Sequence, residues 1–365
     1  MLGKIKLWRF ALFGLVLLLP VIIDSSANAA SSAPSFSLTT SPVTLGLNLG
    51  PGTSTSQTLQ VRNNTSQPLQ ITMEVKTFGA YGSSGQAAIT NFSSGNPAQG
   101  YIKLTPSTFT APPDQWSYVQ ASISIPKTAS LGYYYALVFQ PALPSGIPHP
   151  GHAVINGSNA ILILINTNSA NESKQLGIAK FSVNKKLFEY LPANFSITVH
   201  NPGNIFLAPV GDIYISKNSN GSNTIDTLPI NAGAGNVLPG TNRAFTATWS
   251  DGFPVFVAED KDGQPVLSKS GNPVEQLKWK FADANKFRFG EYYARLALAY
   301  NNGTREVLLN STVSFWVIPW KLLLVALLIL LIILAALFII IRSIWRKIRA
   351  HKKPKITNNS LDQSS

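Results

Sequence analysis

Apolar and polar residues alternate along most of this chain. In Leu69-Gln70-Ile71-Thr72-Met73-Glu74-Val75-Lys76 every second residue is apolar, and the same period runs through 119–125, 195–199, 245–249 and 292–300. A strand sends successive side chains to opposite faces, so this period predicts strands with one buried and one solvated face. The stretches 133–139 and 160–165 are apolar without interruption, which predicts central strands. Turn residues punctuate the runs at Gly50-Pro51-Gly52, Pro113-Asp114, Asp251-Gly252, Asp262-Gly263 and Asn302-Gly303. No amphipathic helix stands out before the C-terminal apolar run.

Many short strands spaced by Gly, Pro and Asn turns predict an all-β fold of immunoglobulin-like β-sandwiches. One such sandwich needs ~100 residues, so the chain between its two apolar ends predicts two in tandem. A polar stretch at 166–174 divides them into 36–166 and 174–317. A short repeat points the same way. Val61-Arg62-Asn63 with Leu69, and Val199-His200-Asn201 with Leu207, share the spacing Val-x-Asn-x5-Leu. Chance is the competing explanation, since Asn turns after Val are common in β-proteins.

The two ends carry a different pattern. A basic segment, an apolar run at 10–23 and the small residues Ala27-Asn28-Ala29 read as a secretory signal peptide at 1–29. That run would make only ~21 Å of helix, short of a ~30 Å hydrocarbon core. At the other end, 322–341 is an unbroken run of Leu, Ile, Val, Ala and Phe, long enough as a helix to cross a bilayer. Trp316 and Trp320 flank it on one side and Trp345 on the other, as interfacial aromatics do.

Charge then fixes an orientation. The chain has 29 Lys and Arg against 16 Asp and Glu, a formal net charge of +13. Taken as one number this suggests a nucleic-acid partner. The excess sits at the ends, however. Lys4, Lys6 and Arg9 open the chain, Lys321 precedes the apolar run, and Arg342, Arg346, Lys347, Arg349, Lys352, Lys353 and Lys355 follow it. The body between keeps 18 basic and 14 acidic residues, too near neutral for a nucleic-acid surface. Under the positive-inside rule the tail 342–365 lies in the cytoplasm and everything before the span lies outside. The expected topology is a type I, single-pass protein of the cell membrane. The tail's basic residues could also hold anionic lipid, but a stop-transfer role already accounts for them.

Candidate chemistry is sparse. The chain contains no cysteine, hence no disulfide and no thiolate metal site. His149 and His152 stand three apart in a Pro-rich loop with neither a third ligand nor a general base nearby, so no metal is expected there. Asp260-Lys261-Asp262-Gly263 lacks the remaining ligands of a calcium loop and reads as a tight turn. Leu238-Pro239-Gly240-Thr241 begins like a sorting signal but continues with Asn242 and lies far from the apolar run, so it reads as a turn into a strand. Sequons at Asn63, Asn64, Asn91, Asn156, Asn171, Asn194, Asn220, Asn302 and Asn310 are taken only to mean exposed loops. No nucleotide-binding, nucleophile-elbow or zinc-protease motif is present, and no catalytic residue or cofactor is expected.

Short motifs in order along the chain resemble a known family. They are Ser41-Pro42, Pro51-Gly52, the run from Leu59 to Asn64 with Pro68, the run from Tyr101 to Pro106, and Gly132-Tyr133-Tyr134. The second half adds Asn201-Pro202-Gly203-Asn204, the run from Gly235 to Gly240, and Ser314-Phe315-Trp316-Val317-Ile318-Pro319-Trp320. This layout resembles bacterial surface proteins of the WxL-interacting type. The resemblance implies tandem immunoglobulin-like domains at the cell envelope that bind cell-wall polysaccharide or a partner surface protein. The stretch 253–281 is longer than that family usually has. The expected function is a membrane-anchored binding or scaffold protein, touching the lipid bilayer through one helix and no nucleic acid. The alternatives are an exported carbohydrate-active enzyme, which would need a carboxylate pair ~5–10 Å apart in a cleft, or a sensor or assembly component acting through the basic tail.

Overall fold

The computed structural model describes residues 36–129, 132–142, 159–169 and 171–351. The signal-peptide stretch 1–29, the histidine pair and the end of the tail lie outside the described residues. What is described is almost entirely β-sheet with one C-terminal helix.

The first half contains β1 (Leu38–Ser41), β2 (Thr44–Asn48), β3 (Ser54–Asn63), β4 (Leu69–Ala80), β5 (Ala87–Thr90), β6 (Ile102–Thr105), β7 (Thr108–Ala111), β8 (Trp116–Ser124), β9 (Tyr133–Pro141) and β10 (Asn159–Asn166). One sheet runs β1-β3-β8-β6, and the other β2-β10-β9-β4-β5 with β7 also on β4. Leu59, Val61, Val119, Ala121 and Ile123 of the first meet Ile71, Met73, Leu137, Phe139, Ile161 and Ile163 of the second in one buried core.

The second half contains β11 (Gly177–Val183), β12 (Leu187–Phe188), β13 (Ala193–His200), β14 (Val210–Ser216), β15 (Thr224–Ile230), β16 (Asn242–Trp249), β17 (Val255–Ala258), β18 (Asp260–Lys261), β19 (Gln264–Pro265), β20 (Glu275–Lys278), β21 (Gly290–Asn301) and β22 (Glu306–Val317). Its sheets run β11-β13-β16 and β12-β22-β21-β14-β15. Between them lies a second core built around Trp249, Tyr292, Phe195 and Phe315. The alternating runs at 69–76, 119–125, 195–199, 245–249 and 292–300 all lie on these strands or run one residue past their ends, with every second residue turned into a core.

The halves share a common strand plan, to which the first adds β6 and β7 and the second adds β17 to β20. In each, the first pair of strands is split between the two sheets, and its second member runs parallel to the last long strand (β2 with β10, β12 with β22). The Val-x-Asn spacing marks equivalent positions. Asn63 is fully buried, donates from Nδ2 to the carbonyls of Gln67 (2.8 Å) and Ala111 (3.0 Å), and accepts from the N–H of Thr65 (2.9 Å). Asn201 is fully buried, donates to Ile205 (2.8 Å) and Val237 (2.8 Å), and accepts from the N–H of Gly203 (2.9 Å). Their own carbonyls accept from Asp114 and Gly240, each 2.8 Å away and each with positive φ after a proline. A single amide thus closes the turn after a strand and ties it to a distant loop, in both halves. This corrects one expectation: the sequon at Asn63 does not mark exposure, because its side chain is wholly engaged. Asn64, Asn91, Asn171 and Asn220 are exposed in loops, whereas Asn194 and Asn310 are exposed within β13 and β22, Asn302 is half-buried, and Asn156 lies outside the described residues.

Two other expectations are refined. The stretches 133–139 and 160–165 are apolar throughout because both faces of β9 and β10 are covered. Tyr135, Leu137, Phe139, Ile161 and Ile163 face the core, while Ala136, Val138 and Leu164 join Phe78 and Leu238 in a cluster that packs against the second half. Tyr134 meets Phe206 edge-on at 6.3 Å across the same junction. The polar stretch 166–174 is no loose linker: Asn166 and Thr167 are buried, and the Ser173 N–H donates to Asn204 Oδ1 at 2.8 Å.

Candidate functional site

The junction between the halves holds a cleft of about 270 Å³. Its floor is the outer face of the β2-β10-β9-β4-β5 sheet, with Phe78, Ala87, Leu162 and Leu164, and its far wall is the 233–243 loop with Leu238. The lining contains one charged side chain, Arg243 at the start of β16. Arg243 Nη1 donates to the Asn236 carbonyl at 2.6 Å, and the guanidinium lies 5.4 Å over the Phe245 ring. It lies against Gly85 of the β4–β5 hairpin and Gly235 of the opposite wall, where a Cβ would collide with it. The same hairpin is held to β16 by the Ala244 N–H donating to the Ser83 carbonyl at 2.8 Å. Burial lowers the Arg243 pKa, but no carboxylate among the described residues forms an ion pair with it. A cleft with an apolar floor, polar walls that include Thr44, Gln86, Asn236, Thr241 and Asn242, and one guanidinium without an ion-pair partner can accept an apolar group bearing a carboxylate. The carboxylate pair required for glycoside hydrolysis is not in this cleft, whose lining has no Asp or Glu.

The other site is the junction with the C-terminal helix, α1 (Trp320–His351). Only Ile318 and Pro319 separate it from β22, and the Ile318 N–H donates to the Phe188 carbonyl at 2.8 Å. Trp316 is half-exposed on β22, and Trp320 opens the helix. Lys321 Nζ reaches Glu189 Oε2 at 2.8 Å and lies 5.4 Å over the Trp320 ring. Arg342, Trp345, Arg346 and Lys347 stand exposed on α1, so the helix continues past 341 into the stretch expected to be tail. Arg349 also falls within α1, whereas Lys352, Lys353 and Lys355 lie outside the described residues. Among the described residues α1 is the one helix long and apolar enough to cross a membrane. Its apolar side chains stand exposed all round, Leu328 at 60% and Ile332 at 60%, which a helix of a soluble core does not do.

The remaining sequence candidates resolve simply. Asp260–Gly263 is a two-residue hairpin turn between β18 and β19, with positive φ at Asp262 and Gly263 and the Gly263 N–H donating to Asp260 Oδ1 at 2.8 Å. Leu238–Thr241 is a turn leading into β16, closed by the Thr241 N–H on the Leu238 carbonyl. Among the described residues no three His, Cys, Asp or Glu side chains converge on a metal-sized site. Sequence reasoning missed the cleft, although the second apolar face of 133–139 and 160–165 was a signal that something covers it.

No family model and no curated protein matches the sequence. Among solved structures the chain is similar to the class 5 fimbriae chaperone CfaA at 18% identity, over 67% of this chain and 100% of that one, with a TM-score of 0.35. It is similar to the E. coli chaperone DraB at 11% identity, over 78% and 98%, with a TM-score of 0.32. It is also similar to a structure of Salmonella enterica SafA pilin in complex with the SafB chaperone at 12% identity, over 77% and 99%, with a TM-score of 0.32. Likenesses of this size carry no argument about what the chain binds.

Proposed function

We propose that the chain is a membrane-anchored surface protein of the WxL-interacting type, in which two immunoglobulin-like sandwiches, 36–166 and 174–317, present a binding cleft outside the cell. On this reading 1–29 directs export, α1 spans the membrane, and the residues from Arg342 on face the cytoplasm. The observation that carries it is the join at Ile318-Pro319, by which a β-rich body passes without a spacer into an exposed apolar helix. The cleft favours a protein partner over cell-wall polysaccharide. Its floor is apolar, with Phe78, Ala87, Leu162 and Leu164, and its one charge is Arg243, which suits an apolar segment with a carboxylate, while Thr44, Gln86, Asn236, Thr241 and Asn242 on the lining could bond that segment's backbone.

A photo-reactive residue in place of Gln86, at the cleft rim, would be crosslinked in intact cells and the adduct identified. A surface protein captured there, and lost in an Arg243→Met variant, is the expected result. Adducts to polysaccharide alone, or adducts unchanged by Arg243→Met, would overturn the assignment of the cleft. A cysteine-free chain also suits topology mapping: Ser268→Cys should react with an impermeant thiol reagent from outside the cell, and Asn358→Cys only after lysis.

A further inference from the structure

The excursion from Gly252 to Phe289, between β16 and β21, has no counterpart in the first half, where eight residues join β8 to β9. It carries an unusual density of aromatic rings that the core does not absorb. Trp279 is 44% exposed, Phe281 74%, Phe287 45% and Phe289 47%. Trp279 and Phe281 stack at 6.3 Å with 29° between planes, and Phe253 meets both, at 5.7 and 5.6 Å. Exposed apolar patches of this kind mark interaction surfaces.

Two independent observations put the patch level with the start of α1. The β21–β22 register sets Gly290 opposite Val317, so Phe289 lies beside the Ile318-Pro319 join. Phe253 and Phe287 form a bridge one step further out. Separately, Trp279 meets Tyr190 at 6.4 Å, and the neighbouring Glu189 holds Lys321 in the first turn of the helix. Lys278 and Lys280 flank Trp279 and are exposed, Lys280 paired with Asp283 at 3.3 Å. Aromatic rings with adjacent cations are the side chains that settle at the level of lipid headgroups.

We infer that Phe253, Trp279, Phe281, Phe287 and Phe289 form an apron that inserts into the outer headgroup region of the bilayer entered by α1, with Lys278 toward lipid phosphates. This rests on the reading of α1 as a span. The occupant is lipid because the patch is fixed beside the helix entry and no spacer lifts it away.

The test uses the full chain in vesicles of phosphatidylcholine and phosphatidylglycerol, with an environment-sensitive fluorophore on single cysteines. Ala282→Cys probes the apron with every ring intact, Leu331→Cys the span, and Ser66→Cys the first half. At Ala282→Cys a quencher at the headgroup level should act at least twice as strongly as at Ser66→Cys, and iodide in the water several-fold less. Adding Trp279→Ser and Phe281→Ser should abolish both differences. Iodide access at Ala282→Cys equal to that at Ser66→Cys, with Leu331→Cys protected, overturns the apron and leaves the span standing. Protection from iodide without quenching from lipid means a protein covers the patch and also overturns it. Iodide access at Leu331→Cys overturns the span and the apron together.

Discussion

Replacing Asn201 by Ala tests the reasoning about the duplicated amide most directly. The side chain is fully buried and makes three hydrogen bonds with backbone groups, two as donor and one as acceptor. Alanine leaves the carbonyls of Ile205 and Val237 without those partners in buried surroundings, and the N–H of Gly203 without its partner in half-buried ones. Each intact bond contributes about 0.5–1.5 kcal/mol net, and each buried group left unpaired costs about 1–3 kcal/mol. Partial relaxation of the 202–205 turn offsets some of this, so a loss of about 2–4 kcal/mol is expected. Asn63→Ala should cost a similar amount in the first half. Asn64→Ala is the control, since its side chain makes one exposed bond to Thr39 Oγ1 and should cost about 0.5 kcal/mol or less. Denaturant titration of the full chain in detergent, followed by tryptophan fluorescence, reads all three. Asn201→Ala within 0.5 kcal/mol of the parent would refute the claim that this amide holds the turn and the 237–240 loop together.

Three further predictions follow from other contacts. Gly211→Ala should destabilise the second half by about 3 kcal/mol or more, because a Cβ there would collide with the Ala297 backbone of the neighbouring strand; loss of cooperative melting would show it. Burial raises the Asp251 pKa, but hydrogen bonds from Lys286 and Arg288 outweigh it and set the net shift downward. The stability this contributes is therefore present above the unfolded carboxylate value of about 3.9 and lost as pH falls through the lower folded value. Asp251→Asn should accordingly lower Tm at pH 7, by the equivalent of about 1 kcal/mol given the partial exposure, with the difference shrinking as pH falls below the unfolded carboxylate value. Leu238→Asp puts a charge into the apolar contact between the halves and should broaden the distance distribution between spin labels at Ser66→Cys and Ser268→Cys, while each half still melts cooperatively.

How much of this was legible in the sequence depends on the range of the interaction involved. The strands 69–76 and 292–300 declare themselves because strand periodicity is local and each has one solvated face. The helix α1 is legible for the same reason, since its length and apolar composition sit in consecutive residues. The Val-x-Asn spacing was visible as a pattern, but its cause was not, because the third partner of each Asn lies 48 or 36 residues away. Arg243 gives no local sign of its setting either: Gly85, one of the two glycines against it, comes from the other half of the chain. Asn63 misled in the opposite sense, since an acceptor motif for glycan says nothing about whether its amide is already used.

The two-residue join between β22 and α1 also sets distances. On the reading of α1 as a span, with no slack below, the long strands of the second half determine how far the cleft stands from the bilayer. β16 has 8 residues and β21 has 12, which at ~3.4 Å per residue separates Arg243 from the helix entry by roughly 25–40 Å. That is about three to five Debye lengths at physiological salt. On that reading Lys278 lies within the electric field of the lipid surface, while Arg243 lies beyond it. A carboxylate entering the cleft would then meet Arg243 without competition from lipid phosphates.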